Sequence, residues 1–364
     1  MTDATLQYAI FMQSLQEVNL FTMDKIILTG LLPQEIGEKL GLAQKFRANQ
    51  IFKWIGTGVS DFDKMTNLSL DLRNELKEKA LLRSSKIENV LKDPDGTIKL
   101  QIQLSDSNIV ETVLLTDREG RKTACVSCQA GCAMKCAFCM TGTLGLSRNL
   151  EPYEIVEQFL YLEETSGKLD NIVFMGMGEP MQNLGAIRKA IEILCHKDGR
   201  ALSSKRITLS TCGIIKGIYD LADNGPHIRL AVSLTTANED LRREIMPVTA
   251  GNPLSELKKA ISYYAEKSGK RVTLEAALLG GRNTDDLSAK NMIEFARGAD
   301  VNINLIPWNP VKTLPFVEPT SNEVKTFVAK LERAGLNVTL RTRRGRKIGG
   351  ACGQLGKTVK KDLT

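Results

Sequence analysis

Residues 122–142 read KTACVSCQAGCAMKCAFCMTG and hold five of the chain's eight cysteines. Within this stretch, Cys132, Cys136 and Cys139 follow a C-x3-C-x2-C spacing. Cysteine thiolate is the usual ligand of iron–sulfur clusters, and thiolates this close together on one loop can bind the same cluster. Three ligands on a four-iron cluster leave one iron open for a substrate or cofactor, as in catalytic metal sites. The spacing therefore predicts an iron–sulfur site that takes part in chemistry.

A structural zinc site is the alternative that these residues leave open. Zinc needs a fourth ligand, and the chain's two histidines, His196 and His227, are not in zinc-like spacing with the cysteines. Cys128 could complete a closed four-cysteine site. Such a site would stabilise the fold and leave no position for a substrate.

Length and composition indicate an ordinary globular protein. The 364 residues are 42% hydrophobic, which is enough for a sizeable core. No stretch approaches the ~18 apolar residues of a membrane span, and the opening residues lack the basic start of a secretory leader. We therefore expect a cytoplasmic protein without membrane contact, in which thiols stay reduced.

Positive charge is concentrated near the end of the sequence. The net charge is +7, and Arg341, Arg343, Arg344, Arg346 and Lys347 fall within seven residues. Such density favours binding to a polyanion, nucleic acid first, although a solvated basic tail gives the same pattern. Three more lysines follow this basic run: Lys357, Lys360 and Lys361.

The periodicity divides the chain into four parts. Apolar residues recur at helical spacing up to about Leu82, which predicts a small helical accessory domain over residues 1–90. The runs TIKLQIQL and IVETVLLTD predict a hairpin or meander, within a β extension over residues 91–121. Residues 122–320 form the predicted core, and residues 321–364 add a helix, a strand and a Gly-rich loop.

The core alternates strand-like and helical runs. The strand-like runs KTACV, DNIVFMG, KRITLST, IRLAVSL, RVTLEAAL and VNINLIPWN are separated by amphipathic segments. This alternation predicts the α/β class, with six βα units and a parallel sheet. A partial, open TIM-type barrel fits better than a doubly wound sheet, because special residues recur at the end of each strand in turn.

Small and polar residues follow several of these strands. Gly178 and Glu179 lie in GMGEP after the second strand, Ser210 ends the third, Ser233 ends the fourth, and Asn309 follows the sixth. The C-terminal ends of parallel barrel strands build the active site. Glycine permits close approach of a ligand, and a carboxylate can accept a bond from an ammonium group.

The C-x3-C-x2-C spacing, with Phe138 before the last cysteine, resembles the radical S-adenosylmethionine (SAM) enzymes. Over nearly the whole chain, the stretches ETVLL, ACVSCQAGCAMKCAFCMTG, FMGMGEPMQN, LSTCG, INLIPWNP and GACGQL resemble, in this order, the radical SAM RNA adenine methyltransferases, the family of RlmN and Cfr. The resemblance implies a radical SAM barrel with a 4Fe-4S cluster and SAM at its open iron. The implied cluster ligands are Cys132, Cys136 and Cys139.

The resemblance also implies contacts to SAM at the strand ends. Carried over residue by residue, the SAM contacts are Gly178, Glu179, Ser210, Ser233, Leu234, Thr235 and Asn309. The family commonly has histidine at residue 235. Thr235 keeps a hydroxyl group but lacks the imidazole, so a contact made through that ring is lost.

Three further residues have implied catalytic roles. Cys352, in the Gly-rich loop, accepts a methyl group from one SAM, and reductive cleavage of a second SAM activates this methyl for addition to adenine. Glu111 removes the proton of the adduct, and Cys125 forms a transient disulfide with Cys352 as the product leaves. A glycine-flanked loop suits a group that moves between two reaction positions, so we expect the Cys352 loop to move.

The implied reaction is methylation of adenosine C2 in 23S ribosomal RNA, at the peptidyl transferase centre, and in the anticodon-loop region of transfer RNA. An external, flavodoxin-like electron donor is implied, and we expect a monomer. Two alternatives stay open. One is a Cfr-type enzyme that methylates C8 and confers antibiotic resistance, and the other is a non-catalytic RNA-binding protein with a structural metal.

Two surfaces are candidates for docking RNA. One is the basic run Arg341–Lys347, which leads directly to the loop with Cys352. The other is on the helical N-terminal domain, where basic and aromatic residues are interleaved, a pattern that favours phosphate contacts and base stacking. These residues are Lys45, Phe46, Arg47, Phe52, Lys53 and Trp54.

Overall fold

The N-terminal part is helical, as predicted. The computed structural model describes residues 25–356. Residues 1–24 and the lysines after the basic run, Lys357, Lys360 and Lys361, lie outside the described residues. Strand β1 (Ile26–Ile27) pairs in parallel with β2 (Ala80–Leu81). The helices between these two strands are Pro33–Leu40, Lys45–Gly56 and Leu70–Lys79.

A buried carboxylate attaches this helical part to the rest of the protein. Glu157, on helix Pro152–Ser166, is fully buried. It accepts hydrogen bonds from Thr29 Oγ1 at 3.1 Å, from the Ser84 amide at 2.8 Å and from the Ser85 amide at 3.0 Å. A buried carboxylate requires such partners because its desolvation is costly. Burial raises the pKa of Glu157, and the bonds from Ser85 and Ser84 oppose that shift.

The predicted meander is confirmed. Strands β3 (Lys86–Lys92), β4 (Ile98–Gln103) and β5 (Ile109–Thr116) are antiparallel neighbours. Strand β5 pairs antiparallel with β6 (Lys122–Cys125), so the meander continues the main sheet. The division of the chain at residues 90, 121 and 320 stays a prediction.

The cysteine stretch forms a separate projection from the sheet. Strand β7 (Gln129–Cys132) pairs antiparallel with β8 (Gly145–Asn149). The short helix Met140–Thr143 lies between them. Gly142 packs so closely that an added Cβ would lie 2.8 Å from the Cys136 carbonyl oxygen, so only glycine allows this loop to fold so tightly.

The main sheet has the predicted parallel core. It continues with strands β9 (Asn171–Phe174), β10 (Ile207–Thr211), β11 (Arg229–Ser233), β12 (Val272–Leu278), β13 (Val301–Pro307) and β14 (Val338–Leu340). The strand order is β14-β13-β12-β11-β10-β9-β6-β5-β4-β3. All pairs from β6 to β14 are parallel, which confirms the six predicted strands and adds β14 at the edge. Within the described chain β3 and β14 do not pair, so the sheet stays open.

Alternation along the strands separates the core from the site. In β10 the side chains of Ile207, Leu209 and Thr211 are buried, while Ser210 lies on the opposite face. Helices connect successive parallel strands: Pro152–Ser166, Leu184–Cys195, Ile215–Asn224, Glu239–Ile245, Leu254–Ser268, Asp286–Ala296 and Ser321–Arg333. None of the helices in residues 25–356 has the length and apolar character to cross a bilayer.

One buried arginine ties the ends of two parallel strands together. Arg242 is fully buried. It donates to the Leu234 carbonyl at 3.1 Å, to the Cys212 carbonyl at 2.7 Å and to Thr249 Oγ1 at 2.6 Å. Cys212 and Leu234 directly follow β10 and β11, so Arg242 fixes the segments that carry site residues.

Arg242→Met should strongly destabilise the fold. We expect the free energy of unfolding to fall by about 2–4 kcal/mol, because each buried acceptor left without a donor costs about 1–3 kcal/mol. The adjacent Arg243 is the matched control, since its side chain is 53% exposed and surface ion pairs contribute less than about 1 kcal/mol. Urea unfolding of both variants measures the difference, and equal losses would contradict the role given to Arg242.

Candidate active site

One cavity lies at the C-terminal ends of the parallel strands. It has an empty volume of about 1050 Å³, including its open mouth. Most of the site residues predicted from the sequence line it: Cys132, Cys136, Cys139, Gly178, Glu179, Ser210, Ser233, Thr235, Asn309 and Cys352. The fold thus gathers residues far apart in sequence around one space large enough for a nucleoside-sized ligand.

The three cysteines of the C-x3-C-x2-C stretch form one wall of this cavity. Burial raises the pKa of Cys132 to about 11 and also raises the pKa of Cys136, while repulsion between neighbouring thiolates adds to both shifts. A bound iron ion reverses this preference, because its charge stabilises coordinated thiolate. The three thiols are therefore close together and face an open space.

Cys128 and the other three cysteines differ in their position relative to the cavity. Within residues 25–356, no three His, Cys, Asp or Glu side chains converge as ligands of one metal ion. Each cysteine of a four-iron cluster binds a different iron, so its ligands need no common point. Cys128, the candidate fourth zinc ligand, is buried and is not part of the cavity wall. Three cysteines that line one open space fit a four-iron cluster with one open iron.

Glu179 is a fixed carboxylate in the cavity. Its Oε1 accepts from Thr211 Oγ1 at 2.6 Å and from the Met181 amide at 3.0 Å, and its Oε2 accepts from the Cys212 amide at 2.8 Å. Burial raises the pKa of Glu179, and these bonds oppose the shift. The preceding Gly178 has φ of +106°, a conformation that side chains other than glycine rarely adopt. The turn therefore presents the carboxylate and leaves room for a ligand.

Two buried oxygen atoms in the cavity have no hydrogen-bond donor among the described residues. They are Glu275 Oε1 and Asn309 Oδ1. An unpaired buried acceptor costs about 1–3 kcal/mol, so such atoms indicate a ligand that donates. Glu275 Oε2 accepts from Ser210 Oγ at 3.0 Å, and Asn309 Nδ2 donates to the Cys352 carbonyl at 3.1 Å. SAM offers matching donors in its ammonium and ribose hydroxyl groups.

Glu275 was not among the residues selected from the sequence. Its signal is an acidic residue inside the otherwise apolar part of strand β12, VTLEAAL. Only the pairing with Ser210 shows that this carboxylate lies in the cavity. Arg341 was also missed as a site residue, because it was grouped with the basic run, yet its side chain lines the same cavity.

Thr235 adopts a strained backbone conformation at the cavity. Its φ of +60° is unfavourable for a β-branched residue. The Thr235 amide donates to the Glu275 carbonyl at 3.0 Å, and Asn283 Nδ2 donates to the Thr235 carbonyl at 2.9 Å. These bonds hold the turn. The neighbouring Leu234, carried over as a SAM contact, is fully buried and is not part of the cavity wall.

Cys352 and Cys125 are neighbours near the cavity. Cys352 is exposed, whereas Cys125 is buried at the end of β6 and outside the cavity lining. Burial, followed by repulsion from Cys352, raises the pKa of Cys125, and Arg341 opposes this shift. All eight cysteines are free thiols, so the Cys125–Cys352 disulfide implied by the resemblance is not formed in this structure.

The loop that carries Cys352 is tied to the protein by several hydrogen bonds. The Met140 amide donates to the Gly353 carbonyl at 2.8 Å, and Thr141 Oγ1 donates to the Leu355 carbonyl at 2.8 Å. The expected movement of this loop stays a prediction. Any movement of Cys352 requires these bonds to break.

Glu111 lies in an adjoining cavity. This second space, of about 760 Å³ including its open mouth, is lined by residues that include Glu111, Asn108, Ala130 and Gly356. Glu111 is 2% exposed, and it forms an ion pair with Lys99, with 2.9 Å between Nζ and Oε1. The Gly356 amide donates to Glu111 at 2.7 Å, so the segment after Cys352 contacts this second cavity.

Two of the five cations in the basic run form ion pairs within the protein. Arg343 and Arg346 both pair with Glu318, the latter at 2.7 Å. The Lys347 amide donates to Asp93 Oδ2 at 3.0 Å. Part of this run therefore holds the loop in place.

The N-terminal candidate surface is more accessible. Lys45, Phe46 and Lys53 are exposed, and the Arg47 guanidinium lies 4.8 Å from the centre of the Phe46 ring. Phe52, in contrast, is a core residue that packs against the His196 ring. The accessible part of the predicted surface is thus a cation–aromatic pair flanked by two lysines.

An open parallel sheet whose strand ends surround a three-cysteine loop defines the class of radical SAM enzymes. Residues 126–293 match the model of the Radical SAM superfamily, and residues 18–82 match the ribosomal RNA large subunit methyltransferase N-terminal domain. Enzymes of this class use a 4Fe-4S cluster and SAM. The three cavity cysteines and the unpaired acceptors fit these two groups.

Individual relatives indicate which radical SAM family the chain resembles. Proteins from Treponema denticola and Treponema pallidum named "Probable dual-specificity RNA methyltransferase RlmN" are 60% and 55% identical, over 92% and 91% of this chain and 96% and 98% of theirs. The crystal structure of a radical SAM methyltransferase from Sphaerobacter thermophilus aligns with a TM-score of 0.87 at 38% identity, over 91% of this chain and 99% of that one. The chain belongs to the RlmN family of radical SAM RNA methyltransferases.

Proposed function

We propose that this enzyme methylates C2 of adenosine in 23S ribosomal RNA, at the peptidyl transferase centre, and in the anticodon-loop region of transfer RNA, using Cys352 to carry the methyl group. The observation that carries the proposal is that Cys352 shares one cavity with Cys132, Cys136 and Cys139. A structural metal site needs no reactive cysteine beside it. The words "dual-specificity RNA methyltransferase" in the names of the relatives support two RNA substrates.

The cavity residues position the methyl donor. When bound by the three cysteines, the cluster supplies the electron for reductive cleavage of SAM. Glu179 can accept a hydrogen bond from the ammonium group, and Glu275 and Asn309 offer acceptors for hydroxyl groups. Ser210 holds the Glu275 carboxylate in place through a 3.0 Å bond. The donor is thereby oriented toward the wall that contains Cys352.

Cys352 answers a chemical difficulty of the substrate. Adenine C2 is electron-poor, so it does not attack a sulfonium methyl group directly. Reductive cleavage of a second SAM would give a 5′-deoxyadenosyl radical that removes a hydrogen atom from a methyl group on the Cys352 sulfur, and the resulting methylene radical would add to C2. The Glu111 carboxylate then accepts the C2 proton. Substrate binding has to place adenine C2 within reach of both Cys352 and Glu111.

Cys125 completes the reaction by releasing the product. Its thiol loses a proton and its sulfur attacks the Cys352 sulfur. The bond between Cys352 and the product carbon breaks, an S–S bond forms, and the product carbon takes up a proton to become a methyl group. The one electron left over from the radical adduct would return to the cluster held by the three cysteines. An external reductant returns both cysteines to thiols, and a flavodoxin-like donor supplies electrons to the cluster. A cytoplasmic location, where thiols stay reduced, and a monomeric state are further parts of the proposal.

Mass spectrometry of nucleosides tests the proposal. Cluster-loaded protein is incubated without oxygen with SAM, reductant and either ribosomal RNA fragments or transfer RNA. We expect 2-methyladenosine from both RNAs. 8-Methyladenosine would replace the proposal with C8 chemistry of the Cfr type. With a verified cluster, the absence of both products would contradict the methyltransferase proposal and leave RNA binding as the function.

RNA docking through the N-terminal surface gives a separate prediction. Replacing Lys45, Arg47 and Lys53 with glutamine should weaken RNA binding about tenfold at low salt and flatten the salt dependence by a slope of about 2, because three phosphate contacts are lost. The same change at Arg343, Arg344 and Arg346 should have a smaller effect, since Glu318 already pairs with two of them. Binding titrations at several salt concentrations measure both, and an unchanged N-terminal variant would contradict docking there.

A further inference from the structure

Side chains of the β3–β5 meander form hydrogen bonds with the backbone on both sides of Cys352. Asp95 Oδ2 accepts the Gly345 amide at 2.8 Å. On the other side of Cys352, Glu111 Oε2 accepts the Gly356 amide at 2.7 Å. Lys99 Nζ donates to the Gly349 carbonyl at 3.2 Å. The meander therefore holds the reactive loop before and after its cysteine.

Two of these side chains, Lys99 and Glu111, form a buried ion pair. Lys99 is 1% exposed and Glu111 is 2% exposed, and their charged atoms are 2.9 Å apart. Gln101 lies directly opposite Glu111 in the register and donates to Oε1 at 2.9 Å. Lys99 is two residues from Gln101, so its side chain lies on the same face of the sheet.

Burying a lysine is costly unless a charged partner compensates. In this structure the compensation for Lys99 comes from Glu111, the residue proposed to accept the proton. The same two side chains bind the loop at Gly349 and Gly356. The charge on Glu111 and the position of the loop are thus linked through direct contacts.

We infer that Lys99 is a positioning residue that couples proton acceptance by Glu111 to release of the Cys352 loop. The inference rests on the proposed function of Glu111. In the ionised state, the carboxylate binds Lys99 and the Gly356 amide through charge-assisted bonds, which are about twice as strong as neutral ones. The ionised pair holds Cys352 at the cavity.

Transfer of the adenine C2 proton to Glu111 removes the negative charge from these bonds. It converts the Glu111 carboxylate to a neutral acid, while the electron pair of the broken C–H bond stays with the substrate and the protein is neither oxidised nor reduced. Lys99 then loses its charged partner, and the Gly356 amide loses a charged acceptor. The bond from the Gly356 amide to Glu111 therefore weakens, and so does the bond from Lys99 to the Gly349 carbonyl. The contacts at Gly349 and Gly356 are thus weak at the step when Cys352 has to meet Cys125, and the loop is then held by its neutral bonds to Met140, Thr141 and Asn309.

Other charged groups near the loop do not change at this step. Asp95, in the turn between β3 and β4, holds Gly345 and lies near Arg344. Asp93 holds the Lys347 amide. These two contacts keep the N-terminal end of the loop attached as a hinge, so the released part is the stretch with Cys352.

The rate of disulfide formation between Cys125 and Cys352 tests the inference without measuring turnover. The cluster-loaded, full-length protein is treated without oxygen with oxidised glutathione, which is reduced as the two thiols are oxidised, and the linked peptide is quantified by mass spectrometry. Glu111→Gln keeps the shape of the carboxyl group and removes its charge. We expect each of two variants, Glu111→Gln and Lys99→Met, to form the disulfide about tenfold faster than the wild type. Glu111→Gln replaces the charged acceptor of the Gly356 amide with a neutral one, and Lys99→Met removes the ion pair and the bond to the Gly349 carbonyl.

Three comparisons make the test specific. The double variant should be no faster than either single variant, since both changes break the same link. Lys99→Arg should restore the slow rate. Asp106→Asn, which removes a carboxylate paired with Arg148 in the turn after β4, should behave like the wild type. Wild-type rates in both Glu111→Gln and Lys99→Met would overturn the inference.

The outcome is separable from the proposed function. If the wild-type protein makes no methylated adenosine but the charge-removing variants form the disulfide faster, the link between Glu111 and the loop stands and the proposed chemistry fails. If methylated adenosine forms and the disulfide rates do not change, the chemistry stands and the coupling fails.

Discussion

Cys352→Ala abolishes methylation while iron content and RNA binding remain at the wild-type level. We expect turnover to fall by at least about 10³-fold, as for loss of an essential nucleophile. Adenine C2 does not attack a methyl sulfonium, so no direct route replaces the cysteine. The loop itself should persist, because its hydrogen bonds use the carbonyl groups of Cys352 and Gly353 rather than the thiol.

Nucleoside mass spectrometry, iron analysis and RNA titration measure these three properties on the same preparation. Cys195→Ala is the matched control, since Cys195 lies on helix Leu184–Cys195, outside both site cavities. It should leave all three unchanged. Methylation by Cys352→Ala at the wild-type rate would show that the methyl group never resides on this cysteine. A binding protein without catalysis would give no methylated product from either the wild type or the variant.

Cys136→Ala removes the cluster and therefore all activity. We expect iron to fall from about four atoms per chain to near zero, because only three thiolates are available to a four-iron cluster. Cys136 lines the cavity between Cys132 and Cys139 in the loop. A cluster held by two remaining cysteines would be exposed to exchange and loss. Iron and sulfide analysis after anaerobic reconstitution measures the effect.

The metal content of Cys128→Ser distinguishes a cluster bound by three cysteines from a zinc site bound by four. Cys128 is buried, and its amide donates to the Met177 carbonyl at 2.8 Å. Its thiol is not part of the cavity wall, so the serine variant should keep its iron and its activity. Loss of metal in Cys128→Ser equal to that in Cys136→Ala would contradict a three-cysteine cluster.

Sequence periodicity predicted the parallel sheet because each strand carries its own local signal. Six β-branched runs separated by amphipathic helices became the six strands β6 and β9–β13. The positions of Ser210, Ser233 and Asn309 at strand ends could also be predicted, since parallel strands bring those ends to one side. The structure places all three around one cavity, and their roles toward SAM stay predictions.

Contacts that depend on tertiary packing could not be predicted. Lys99 and Glu111 belong to different strands, and only the register of β4 against β5 shows that they share a face. Arg341 appeared to be one of a row of surface cations, because charge patterns do not tell which side chain turns inward. The place of Glu275 in the cavity could not be predicted either, because its partner Ser210 is 65 residues away in the sequence. Pairings between distant residues require the fold.

Mass spectrometry of peptides from the protein itself tests the central claim most directly. The cluster-loaded enzyme is incubated without oxygen with SAM carrying an isotopically labelled methyl group, and half of the sample then receives RNA and reductant. We predict labelled methyl on Cys352 before RNA is added and its transfer to C2 of adenosine afterwards. Labelled 2-methyladenosine formed while Cys352 never carries label would contradict the account.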